Sequence, residues 1–155
     1  MNITRRKATD QDAGFLLDLF KAVRGPEFAI AGLPPAQLDM LLNMQFQAQT
    51  SSYRAQFPDA DHQIVLVDGA TAGRTLVDRS SEQLVLVDIS ILPAYQKGGV
   101  GSALVGELIA EARAAGLPVR CSVGVSNPGS LRFHQRLGFR VVSQDPVYCE
   151  LECAP

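Results

Sequence analysis

Apolar and polar positions alternate along this chain in a way that divides it into short β-type runs, amphipathic helices and glycine-marked turns. Residues 3–8 form a short N-terminal strand candidate. Thr9-Asp10 then offers a cap before Phe15, Leu16, Leu19, Phe20 and Val23, whose spacing of three and four predicts a helix that stops near Arg24-Gly25-Pro26. Leu33-Pro34-Pro35 restarts the chain, and Leu38, Leu41, Leu42, Gln45, Ala48, Gln49 and Tyr53 mark a longer second helix ending before Pro58. The runs 63–67 and 71–77, separated by Asp68-Gly69, read as a hairpin. After a turn at 78–81, residues 83–92 make a near-continuous apolar strand in which Asp88 and Ser90 share one face by the period of two.

The second half alternates strand and helix. Val100, Leu104, Leu108 and Ala112 lie on one stripe with Val105 and Ile109 beside it, which predicts a helix stopped by Gly116-Leu117-Pro118. Residues 119–125 form another buried strand, a short helix follows over 130–137, and 139–142 with 147–151 close the chain as a hairpin. A strand, a helix and a strand in that order predict a right-handed crossover with parallel neighbours. The expected fold is therefore α/β of the α+β type, a mixed central sheet of about seven strands with one parallel pair and about four helices. At 155 residues and 46% hydrophobic, residues 1–155 suit a single domain with one core.

Charge and composition remove several function classes. Net charge is −2 and no basic block exceeds Arg5-Arg6-Lys7, so an electrostatic footprint for nucleic acid is lacking. No segment approaches the roughly 18 apolar residues of a membrane span, and the opening Met-Asn-Ile-Thr-Arg-Arg lacks the apolar region of a signal peptide; a cytoplasmic protein without a membrane partner is expected. Cys121, Cys149 and Cys153 match no zinc spacing and read as reduced, buried thiols. His62, in a polar loop with Asp59 and Asp61, is too far in sequence from His134 to suggest a metal site, so no metal is expected.

The chemistry concentrates at Gln96-Lys97-Gly98-Gly99-Val100-Gly101, between the apolar strand and the following helix. A helix N-terminus has backbone N–H groups without partners and the positive end of the macrodipole, so a glycine turn there can hold a phosphate. A nucleotide P-loop would need Lys-Ser/Thr after its last glycine, whereas Lys97 precedes the glycines and Ser102-Ala103 follow Gly101. A dinucleotide fingerprint would need glycine or alanine where Leu104 stands. Gly124-Val125-Ser126-Asn127-Pro128 stops short of a serine-hydrolase elbow.

Gln96-x-x-Gly99-x-Gly101 after Ile91-Leu92-Pro93-Ala94-Tyr95 resembles the acyl-CoA pyrophosphate loop of the GNAT superfamily of N-acetyltransferases. Asn127-Pro128-Gly129-Ser130-Leu131-Arg132-Phe133-His134-Gln135-Arg136-Leu137-Gly138-Phe139 resembles that family's second motif. The resemblance covers nearly the whole chain and implies a splayed parallel pair. It also implies acetyl-CoA as acyl donor, with the backbone of Gln96, Lys97, Gly98, Gly99, Val100, Gly101 and Ser102 around its pyrophosphate. Ile91 and Leu92 would then lie along the pantetheine arm, with Asn127 beside it; Asn127 is equally a helix cap. The acceptor implied is an amine of a small molecule or peptide, attacked directly in a ternary complex. The family's usual thiolate-side acid is a tyrosine, and His134 occupies that position here. His134 is thus one acid candidate and Tyr148 another, the latter also reading as a core aromatic. Asp88, on the central strand, is the candidate base, with Glu82 and Glu150 as substitutes and a buried carboxylate satisfied by backbone amides or an arginine as its structural alternative. A catalytically silent acyl-CoA-binding module is the competing function. Arg24, Glu27 and Tyr53 are candidates for the acceptor wall, and strand or helix edges would allow a homodimer.

Overall fold

The computed structural model describes residues 1–155. In chain order the elements are β1 (Ile3–Lys7), a 3₁₀ turn (Asp10–Asp12), α1 (Ala13–Ala29), α2 (Pro35–Gln56), β2 (Asp61–Val67), β3 (Ala70–Arg79) and β4 (Leu84–Ile91). A second 3₁₀ turn (Pro93–Gly98), α3 (Val100–Ala114), β5 (Val119–Gly124), α4 (Pro128–Arg136), β6 (Arg140–Gln144) and β7 (Tyr148–Cys153) complete it. The seven strands form one mixed sheet in the order β1-β2-β3-β4-β5-β7-β6. The predicted crossover is present: β4 and β5 run parallel, pairing Leu84 with Val119 and Val85 with Arg120 at the start of both strands. Two compact units make up the chain, Met1–Leu76 with Asp88–Gly98, and Val77–Val87 with Gly99–Pro155.

In the first unit β1 lies antiparallel to β2, from Ile3 opposite Val67 to Lys7 opposite Gln63. The Asp68-Gly69 hairpin has both central residues at positive φ, 50° and 85°, the twist that a two-residue hairpin between right-twisted strands requires. At the other end of β1, the Asp12 carboxylate accepts the Thr9 backbone N–H at 2.8 Å and both terminal nitrogens of Arg6, at 2.9 and 2.7 Å. The Arg6 guanidinium, then the Thr9 N–H, hold the Asp12 carboxyl well below the usual carboxylate range. A depressed carboxyl pKa contributes stability that is complete above the unfolded value near about 4 and lost as pH falls below it. The Asp12→Asn variant is accordingly expected to be less stable at neutral pH and to show a shallower loss of stability below about pH 4, read by urea titrations across pH.

Helix α1 does not stop at Arg24-Gly25-Pro26 but continues through Pro26 to Ala29. Proline in a helix interior removes one hydrogen bond, yet its fixed φ is helical. Here the turn is bound from both sides: Arg24 pairs with Glu27 through two hydrogen bonds of 3.0 and 2.9 Å, and its guanidinium lies 5.6 Å from the Phe20 ring centre and 5.7 Å from that of Phe28. Phe20 packs on Phe46 of α2, ring centres 5.4 Å apart. Buried Gly25 stands where an added Cβ would meet Leu42 at 3.8 Å, so the helices approach closely at that point.

In the second unit the whole predicted stripe of α3, Val100, Leu104, Val105, Leu108, Ile109 and Ala112, is buried. β7 pairs antiparallel with β5 on one side and β6 on the other, so the closing hairpin turns back into the sheet. On β7 the buried positions are Cys149, Leu151 and Cys153. The period of two therefore turns Tyr148, Glu150 and Glu152 to the other face, and Tyr148 is half exposed instead of a core aromatic. All three cysteines are free and buried, and burial pushes the Cys121 thiol up to about 12, with the Glu150 charge as a lesser cause.

Candidate active site

Strand β4 ends in a turn built by its own side chains. Tyr95 N–H donates to Leu92 O at 2.9 Å, and the Gln96 side-chain amide reaches back to Ile91 O at 3.0 Å. Leu92 N–H is taken by Ala72 O of β3 at 2.7 Å. Backbone groups alternate in direction along a strand, so Ile89 and Ile91 present theirs to the edge away from β3. One of these acceptors, Ile91 O, is already occupied by Gln96, as a neighbouring strand would occupy it. The sequence alone places a simple glycine turn here; residues Pro93–Gly98 instead wind as a 3₁₀ turn before Gly99 reverses the chain.

Gly99 adopts φ 81° and ψ 9° as the N-cap of α3, a left-handed conformation that costs a side-chain-bearing residue roughly 1–2 kcal/mol. No side chain caps this N-terminus, and the first helical bond runs from Ala103 N–H to Gly99 O at 3.0 Å. The amides of Val100, Gly101 and Ser102 are thus the unpartnered donors of the first turn. Gly101 is fixed by packing: a Cβ there would sit 3.3 Å from Phe133 Cζ of α4. That contact brings the second motif against the first turn of α3.

Within the second motif, Asn127 caps α4 by accepting the Ser130 N–H at 3.1 Å, while its own N–H donates to Gly124 O at 2.9 Å. His134 is buried, with 4% of its surface exposed, edge-on to Phe133 and Phe139 at centroid distances of 5.1 and 5.3 Å. Its Nδ1 lies 2.8 Å from the Ser130 carbonyl, so the N–H of the neutral ring sits on Nδ1 and the lone pair on Nε2. Burial lowers its pKa, partly offset by the Ser130 carbonyl. At neutral pH the ring is uncharged and its one proton is committed.

Asp88 is half-buried on β4 and is held by an arginine, as its structural alternative expects. Arg74 Nε on β3 donates to Asp88 Oδ2 at 2.7 Å, Ser90 Oγ donates to the same oxygen at 2.9 Å, and Arg74 Nη2 donates to Gln49 Oε1 of α2 at 3.0 Å. The Arg74 guanidinium also lies 5.9 Å from the Tyr53 ring centre. The signal was present in the sequence: Arg74 is the lone charge within the apolar run 72–77, on the strand before the one carrying Asp88. Two lone opposite charges on consecutive buried strands are expected to meet. Of the substitutes for Asp88, Glu150 accepts the Ser122 hydroxyl at 2.6 Å and Glu82 is exposed. Arg24 and Glu27 of the expected acceptor wall bind one another.

A cavity of about 490 Å³ opens within the first unit, lined by the first 3₁₀ turn, α1, the C-terminal half of α2, β2 and β3. His62 lines it from β2, and not from a loop as its polar neighbours Asp59 and Asp61 suggested. Its Nε2 is shielded from solvent and has no hydrogen-bond partner. Burial, then the Arg74 charge, lowers its pKa, which keeps the ring neutral. An unsatisfied buried polar atom costs about 1–3 kcal/mol. The His62→Leu variant is expected to gain about 1 kcal/mol, seen as a melting temperature higher by about 2–4 °C.

A model of the acetyltransferase (GNAT) family matches residues 37–139, more than half of the chain and including both motifs. Among curated proteins, the Bacillus subtilis (strain 168) protein CgeE, named an uncharacterised N-acetyltransferase, is 28% identical over 68 residues, 44% of this chain. The match spans only 26% of that protein's length. Among solved structures, the fold is similar to that of the PaiA N-acetyltransferase of Thermoplasma acidophilum in complex with coenzyme A, with a TM-score of 0.74, 16% identity and full coverage of both chains. It is also similar to an acetyltransferase from Thermus thermophilus, with a TM-score of 0.71 and 19% identity over 100% of this chain and 98% of the other. A third likeness is to a GNAT family acetyltransferase from Elizabethkingia anophelis with acetyl-CoA bound, TM-score 0.63 and 15% identity over 99% of each chain. Both motifs, the parallel pair and the uncapped α3 N-terminus agree with that match, and the chain belongs to the acetyltransferase (GNAT) family.

Proposed function

We propose that the protein is an acetyl-CoA-dependent N-acetyltransferase acting on a primary amine of a small molecule or peptide by direct attack in a ternary complex. The observation that carries this reading is the α3 N-terminus, where Gly99 in a left-handed conformation leaves the following amides without a side-chain cap. Such a turn suits the pyrophosphate of acetyl-CoA, with Lys97 exposed beside it. The coenzyme A and acetyl-CoA complexes of the structural relatives support the same donor. Asn127 supports the arm of the cofactor only through its exposed position, since its side-chain oxygen already caps α4.

The chain's own residues divide the proton work. Asp88 keeps Oδ1 without a protein partner while Oδ2 holds Arg74 and Ser90, so Oδ1 is the site that takes the amine proton, directly or through water. As the nitrogen–carbon bond forms and the carbon–sulfur bond breaks, the departing sulfur needs one proton. Tyr148 is half exposed and its hydroxyl is not engaged, whereas the His134 N–H is bound to Ser130. We assign the donor role to Tyr148 and a positioning role to His134, whose helix backs Gly101 through Phe133.

Release of free thiol from acetyl-CoA in the presence of an amine panel tests the proposal. Turnover is expected with at least one amine, and Tyr148→Phe is expected to lower kcat by about 10²-fold, with His134→Gln lowering it less. Tight coenzyme A binding without turnover of any amine would sink the enzyme reading and leave an acyl-CoA-binding module.

A further inference from the structure

The cavity in the first unit carries recognition chemistry that the donor half of the reaction leaves unused. Arg54 and Asp10 both line it, and neither side chain has an ion-pair or hydrogen-bond partner in the protein. One free charge of each sign therefore faces a shared space without neutralising the other. Leu16, Phe46, Phe57 and Leu76 supply apolar wall to the same cavity. A volume of about 490 Å³ falls in the range of small-molecule sites, roughly 300–1,000 Å³.

We propose that this cavity binds a zwitterionic amino acid with an apolar side chain, its carboxylate on Arg54, its ammonium on Asp10, and its side chain against Phe46 and Leu16. A plain carboxylic acid would face Asp10 unpaired, and a plain amine would leave Arg54 unmatched. A zwitterion pairs both charges at once, each through a charge-assisted hydrogen bond. Arg74 joins the cavity to Asp88, since it lines the one and donates to the other. That the bound amino acid is the acetyl acceptor rests on the function proposed above; the binding itself does not.

Calorimetry on the full chain with L-phenylalanine, phenethylamine and 3-phenylpropionate separates the contributions. Phenylalanine is expected to bind at least about tenfold more tightly than either single-charge analogue. Arg54→Gln should bring phenylalanine down to the level of phenethylamine, and Asp10→Asn down to that of 3-phenylpropionate, with melting curves showing that both variants fold. Equal affinity for the three ligands, indifference of phenylalanine binding to both charge variants, or no binding of phenylalanine or leucine at millimolar concentration overturns the inference. Acetylation of other amines without amino-acid binding overturns it while the acetyltransferase reading stands. Amino-acid binding without acetylation of any amine supports it while that reading fails.

Discussion

Replacing Gly73 by alanine is expected to destabilise the protein by about 3 kcal/mol and to weaken acetyl-CoA binding at the same time. An added Cβ would run into the Ser90 carbonyl oxygen of β4, and it would find Ile91 Cδ1 at 2.8 Å and Ile91 Cα at 3.1 Å. Two of these atoms are backbone and cannot rotate aside. Relief has to come from separating β3 and β4 beside the Leu92 to Ala72 hydrogen bond of 2.7 Å. That shift would displace the Ile89 to Ile91 edge on which the acyl donor is expected to lie. The same chemical change at Gly106, in α3 with nothing within 4 Å of the added Cβ, should instead stabilise by about 1 kcal/mol through helix propensity. Urea unfolding with coenzyme A titration reads both; a neutral Gly73→Ala would mean that the strands separate there at little cost.

Asp88→Ala is expected to cost about 3 kcal/mol and to abolish acetyl transfer, and the two losses have different origins. Arg74 has 7% of its surface exposed, so removing its carboxylate leaves a buried cation with only Gln49 and the Tyr53 ring for company. Replacing both partners separates structure from chemistry. The double variant Arg74→Met, Asp88→Leu removes the charges together and is expected to return to within about 1 kcal/mol of the parent stability. Activity should not return with it. A double variant as stable as the parent and fully active would remove Asp88 from the mechanism.

Most of the fold is legible because each element carries a strong local pattern. The α3 stripe and the alternation in β4 are examples, and the crossover between them then dictates the parallel pair. The errors arise where tertiary contacts override a local signal. Pro26 reads as a stop, but Arg24 bridges Phe20, Phe28 and Glu27 across it. Tyr148 reads as core because it adjoins a buried strand, yet its parity is opposite to that of Cys149, Leu151 and Cys153. His62 reads as a loop residue among aspartates, but it belongs to β2, and Ala8, just past β1, donates its N–H to His62 O at 3.0 Å. The donor loop is legible because it is contiguous in sequence. The cavity of the first unit is not, since its walls come from five elements whose meeting has no linear signature.

The buried cysteines set a condition for the thiol-release assay. Cys121, Cys149 and Cys153 have only 5%, 4% and 2% of their surfaces exposed, and the Cys121 proton is held up to about 12. A thiol-reactive chromophore attacks the thiolate, so the folded protein should stay silent towards it while released coenzyme A is counted. On unfolding all three sulfurs become reactive together. A single reagent can thus report turnover in native buffer and global opening in denaturant, and a variant that raises the colour before acetyl-CoA is added has lost packing, not gained activity.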